Sequence, residues 1–139
     1  MKATVTWLDG VKFQGTSDSG HTVIMDGPPD HGGLNQGMRP MELLLLGVGG
    51  CASFDVVHIL RKARQAVTHC EAKIEAERVD AVPAVFSKIH LHFIVSGENL
   101  KLEQVKKAVE LSAEKYCSGS IMMKAAGVDV THSYEIVAL

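Results

Sequence analysis

The residues best suited to chemistry in this sequence are three cysteines, Cys51, Cys70 and Cys117. A thiolate is a nucleophile, a metal ligand and one half of a disulfide, whereas a buried thiol is a small inert hydrophobe. An odd number of widely spaced cysteines makes a poor disulfide framework, and no CxxC pair marks a structural zinc. Cys117 falls at a break between helical patterns, where the backbone N–H groups of residues 118–120 could stabilise a thiolate. Cys51 lies in an apolar helical run beside glycines. Cys70 falls on the apolar side of an alternating strand, a structural position.

Other constellations point less clearly. Cys51, Asp55 and His58 share one helical face at i, i+4 and i+7. Cys51 and His58 are separated by about 10 Å of helix rise, which disfavours direct thiolate–imidazolium pairing and favours a polar seam. His90 and His92 point to one sheet face beside Lys88 with no third ligand evident, so a solvated face is expected and no metal. DGPPDHGG has neither Walker nor dinucleotide-binding spacing, and Ser118 and Ser120 lack a nucleophile-elbow pattern. No cofactor is implied.

The elements that must position these groups fit a single domain over residues 1–139. With 46% hydrophobic and 22% charged residues the composition is that of a folded globule, and a net charge of −2 gives no footprint for nucleic acid. The longest charge-free apolar stretch, Leu43 to Phe54, has 12 residues, short of the roughly 20 a membrane span needs. MKATVTWLDG lacks an apolar core of signal-peptide length, so a soluble cytoplasmic protein is expected.

Residues 2–26 read as a meander of three short strands, with Asp9-Gly10 and Ser17-Asp18-Ser19-Gly20 at the turns. Residues 26–38 are too rich in Gly and Pro for helix or central strand, so this loop either rims a site or merely connects. Pro40 opens a helix running from Met41 to about Gln65. Its residues are apolar on almost every side, which predicts a buried central helix. Gly47, Gly49 and Gly50 each cost it about 1 kcal/mol against Ala, which implies a close-packed backbone neighbour. Alternating runs from Cys70 to Glu77 and from Lys88 to Val95 predict an antiparallel pair. An amphipathic helix over 101–116, a short helix from Ile121 to Ala126 and a last strand near Val128–Ile136 follow. The order βββ-α-ββ-α-α-β predicts an α+β domain with antiparallel sheet.

Pro40-Met41-Glu42-Leu43-Leu44, a small-residue run to Cys51, and Glu114-Lys115-Tyr116-Cys117-Ser118-Gly119-Ser120 together resemble the OsmC/Ohr family. These are the osmotically inducible protein C and organic hydroperoxide resistance proteins. Their pattern places a cysteine eleven residues after a helix-opening proline, as Cys51 follows Pro40, and a second cysteine in a Cys-Pro-x-Ser context. The likeness extends over nearly the whole chain.

The resemblance implies an intertwined homodimer whose central helices pack between β-sheets, giving the glycines their cause. It implies Cys51 as peroxidatic and Cys117 as resolving thiol, an organic hydroperoxide as substrate and an external dithiol as reductant. The sequence departs from the pattern where the family has Glu directly after the proline. Met41 stands there and Glu42 follows, a rotation of about 100° on a helix. Arg39 stands where the family has Asn and is the candidate thiolate-stabilising cation, with Glu42 the candidate for orienting it. A second reading keeps the fold without catalysis and uses a cleft at the dimer interface, lined by Met38, Met41, Met122 and Met123, for a small hydrophobic ligand. Hydrolysis on Cys51 lacks a properly spaced base and ranks last.

Overall fold

The computed structural model describes residues 1–138. The chain forms two compact units, the first spanning Met1–Leu44 and the second running from Leu45 onward. In the first, the expected meander forms as β1 (Ala3–Asp9), β2 (Lys12–Ser17) and β3 (Thr22–Met25), an antiparallel sheet in that order. Gly10, at φ +51°, makes the β1–β2 turn, and the Trp7 indole N–H donates to its carbonyl at 2.9 Å.

The loop after β3 is organised by one buried carboxylate. Asp26 Oδ1 accepts the Gly27 N–H at 2.8 Å, and Oδ2 accepts those of Leu34 and Gln36 at 3.2 and 3.1 Å. Burial opposes its charge, but the three N–H donors and nearby Lys12 outweigh this and hold the carboxyl below its ordinary range. Gly33 belongs to the same hub, because a Cβ there would run into the Gly27 carbonyl.

Helix α1 (Pro40–Lys62) starts where the sequence places it. Pro40 at the first helical position has no N–H to orphan, and Glu42 Oε1 accepts the Arg39 backbone N–H at 2.8 Å, half of a capping box. The helix stops three residues before the expected Gln65. Arg64 adopts φ +58°, and Gln65 N–H donates to the Leu60 carbonyl at 2.9 Å, a Schellman-type end made without glycine.

In the second unit β4 (Ala66–Arg78) and β5 (Phe86–Glu98) pair antiparallel as expected, with Cys70 opposite Val95 and Ile74 opposite Leu91. The last strand, β6 (Asp129–Ile136), departs from the all-antiparallel expectation by pairing parallel to β5, Leu91 opposite His132. The physical reason is the connection: α2 (Leu102–Leu111), a π turn (Ser112–Tyr116) and α3 (Ser118–Ala125) form a crossover that returns the chain to the far end of the sheet. Helices α2 and α3 lie against β6. Leu60, Ile89, Leu91, Phe93, Val95, Val105 and Val109 form the core.

Two expectations for α1 need correction in the single chain. Val48, Ala52, Val56 and Leu60 are buried, yet Leu46 and Phe54 are 49% and 71% exposed, so the helix is not covered all round. Of its glycines only Gly49 is tightly packed, where a Cβ would strike the Ile74 side chain; Gly47 and Gly50 face open space. By length and composition α1 would also suffice to cross a membrane, which the shorter Leu43–Phe54 count missed.

Candidate functional site

Cys51 and Asp55 stand one turn apart on α1 and present their side chains on the same side. Cys117 reaches them from the other end of the sequence by way of the π turn. Its backbone N–H donates to the Ser112 carbonyl at 2.8 Å, an i→i−5 bond that widens the turn and ends α2 early. Two buried side chains then pin this segment to α1: Ser112 Oγ donates to the Ala52 carbonyl at 3.1 Å, and the Cys117 thiol lies 3.9 Å from the Val48 carbonyl. Gly119 completes the approach, since a Cβ there would press on Val48 Cα at 3.2 Å.

Cys51 Sγ, Cys117 Sγ and one Asp55 carboxylate oxygen lie within 4.8 Å of one another. The two thiols are free. A disulfide needs about 2.05 Å between sulfurs, so side-chain rotation with a small backbone adjustment could close the gap. The two sulfurs differ in access: Cys51 is half-buried and Cys117 fully buried.

Cys117 is the N-cap of α3, and its Sγ accepts the Ser120 N–H at 3.3 Å, the arrangement expected to favour a thiolate. Burial outweighs that bond, and with Cys51 adjacent the thiol is pushed up from its ordinary range. Burial also pushes Asp55 up, while His58 and the Ser112 hydroxyl offset part of this. Asp55 Oδ2 is enclosed and has no hydrogen-bond partner. The three donors would suit a thiophilic cation, but the closed structural zinc site has four protein ligands and this group supplies three.

Arg39 and Glu42 belong to the first unit. The Arg39 guanidinium donates to Asn35 Oδ1 at 2.9 Å and to the Gly37 carbonyl at 3.2 Å, and Glu42 holds the Arg39 backbone, not its guanidinium. Arg39 also borders an apolar cavity of about 610 Å³ within that unit, walled by Val5, Val11, Phe13 and Met25. None of Met38, Met41, Met122 or Met123 lines it.

Cys70 is half-buried and burial pushes its thiol up. His90 and His92 join a ladder with Thr131, Ser133 and Glu135 at 2.6–3.1 Å, set by the parallel register of β6. Asp55 and Ser112 are the members the sequence reading left outside the site. The i+4 spacing from Cys51 was the available signal for Asp55; Ser112 offered none.

The family model for OsmC-like protein matches residues 32–133. The chain is 49% identical over 138 residues to Protein YhfA of Escherichia coli K12, covering 99% of both. Among solved structures it resembles a hypothetical protein from Aquifex aeolicus, at 28% identity and a TM-score of 0.86, over 99% of this chain and 96% of that one. It shares its fold with an organic hydroperoxide resistance protein OsmC from Legionella pneumophila, at 18% identity and a TM-score of 0.73, over 96% and 95% of the two chains.

Proposed function

The chain belongs to the OsmC-like protein family, and from that premise we propose that it is a thiol-dependent peroxidase reducing organic hydroperoxides through Cys51 and Cys117. The observation that carries the reading is the meeting of the two sulfurs within 4.8 Å. Access assigns their roles. The half-buried Cys51 attacks the terminal peroxide oxygen, the O–O bond breaks, alcohol leaves and Cys51 becomes a sulfenic acid. The buried Cys117, kept protonated in its apolar surroundings, then displaces water to form the disulfide, and an external dithiol restores both thiols by exchange.

In this reading Arg39 supplies positive charge toward the thiolate and Glu42 fixes its backbone. Two copies pair, covering the apolar residues that one chain leaves exposed, among them Trp7, Leu46 and Phe54. The protein acts in the cytoplasm, where dithiol reductants are maintained.

The test is consumption of cumene hydroperoxide with a dithiol reductant by wild type and Cys51→Ser. Loss of turnover in the variant is expected, and equal rates would remove Cys51 from the mechanism. Cys117→Ser should still consume one equivalent of peroxide and stop at a sulfenic acid trapped by dimedone.

A second reading, non-catalytic binding of a small hydrophobic ligand, draws support from the apolar cavity beside Arg39. It predicts saturable uptake of an apolar fluorophore that is unchanged by Cys51→Ser and weakened by Phe13→Asp.

A further inference from the structure

We propose that Asp55 is the proton acceptor for the Cys51 thiol during attack on the peroxide, an inference that rests on the thiol-peroxidase reading above. Three observations converge on it. Asp55 follows Cys51 by four residues on α1, and its carboxylate lies within 4.8 Å of both sulfurs. A side-chain rotation or one water closes that gap, as expected of a catalytic pair seen without substrate. Its Oδ2 is enclosed yet receives no donor, although buried carboxylate oxygens are ordinarily satisfied. An enclosed carboxylate oxygen without a donor has a lone pair free to take up a proton.

The electrostatics run the same way. Burial raises the affinity of Asp55 for a proton, narrowing its distance from the thiol. The groups acting on it are His58 on the same helix and the Ser112 hydroxyl from the π turn, and the two thiols face it. A carboxylate and a thiolate this close repel, so the pair holds one proton between them more readily than none.

The step balances. Cys51 sulfur bonds to the distal peroxide oxygen and gives up two electrons, which the breaking O–O bond receives. The thiol proton passes to the Asp55 carboxylate and from there to the departing alkoxide. Thiol and hydroperoxide become sulfenic acid and alcohol, and Asp55 ends as the carboxylate it began.

The experiment follows the single-turnover loss of thiol in the full chain mixed with cumene hydroperoxide between pH 5 and 9. In wild type the rate should be nearly flat from pH 6 to 8. In Asp55→Asn it should fall about 100-fold at pH 7 and climb roughly tenfold per pH unit as free thiolate forms. Asp55→Glu should recover the flat profile at reduced rate. An Asp55→Asn profile that superimposes on wild type overturns the proposal. A second measurement needs neither peroxide nor a folded Asn variant: carbon-13 NMR titration of the Asp55 carboxyl in wild type and Cys51→Ser. Removing the thiol should shift the carboxyl titration, and identical curves overturn the shared proton. Should Cys51→Ser consume peroxide as wild type does, the peroxidase reading fails by itself; should it be inactive while Asp55→Asn is normal, only the role of Asp55 fails.

Discussion

The two units solve the problem of staying folded in different ways. The unit from Leu45 onward buries Leu60, Ile89, Leu91, Phe93 and Val95 completely. In Met1–Leu44 the only buried residues are Asp26 and Gly33, while Val5, Trp7, Val11 and Phe13 stay between 37% and 65% exposed. One unit is held by an apolar core and the other by a hydrogen-bond hub. A three-stranded sheet with no covered face gains little from the hydrophobic effect. Its apolar side chains therefore mark a surface for something else to cover, and in the proposed homodimer that is a second copy.

The sharpest break of this contrast is a pair of truncations. Phe93→Ala removes a fully buried ring and should cost about 3–5 kcal/mol in urea unfolding. Trp7→Ala, at a residue 65% exposed in one chain, should cost far less once the protein is diluted to monomer. At higher concentration Trp7→Asp should shift sedimentation toward monomer while leaving the signal of the β4–β5–β6 sheet unchanged. Equal costs for Phe93→Ala and Trp7→Ala at high dilution would mean that the first unit carries a core of its own.

Acid should separate the units next. His132 on β6 stacks on Phe93 with ring centroids 6.4 Å apart, and its Nε2 is buried without a partner. Burial, then Lys124 and His90, depress it from 6.5 to about 4. The unfolded chain therefore binds a proton below pH 6.5 that the folded chain refuses. Stability falls as pH drops from 6.5 toward 4, and no further below that. Urea midpoints of wild type should drop relative to those of His132→Phe as pH falls from 7 to 4.5, because the variant lacks this dependence. Parallel curves would place the acid sensitivity elsewhere.

The same division governs what the sequence disclosed. The strands were legible because period-two alternation is a local property, as from Cys70 to Glu77. Alternation does not encode direction, so the parallel pairing of β6 was not legible; a long-range connection decides it. The helical stripe was read through to Tyr116, but the π turn inserts a residue and rotates that side chain outward, 51% exposed. Cys51 and Cys117 were selected by family resemblance, not by spacing, since their meeting depends on the crossover. Asp55 shared a face with Cys51 in the sequence but read as a seam, because the second sulfur that turns the pair into a cluster comes from a distant segment.

The smallest effect expected belongs to the hub of the first unit. Asp26 holds the Gly27, Leu34 and Gln36 N–H groups, and its carboxyl is depressed below 3.8 although burial alone would raise it. A group depressed on folding contributes stability that is present above its unfolded value and lost as pH falls through the folded one. Its contribution therefore persists through the whole window in which His132 weakens the second unit, and disappears only below pH 3.8. Asp26→Ala should reproduce that loss at neutral pH: the Leu34 and Gln36 amides should exchange faster with solvent while amides in β4 and β5 keep their protection. Because no apolar core in the first unit depends on this carboxylate, the urea midpoint of the second unit should not move. Faster exchange across β4 and β5 together with the loop would show that the two regions open as one.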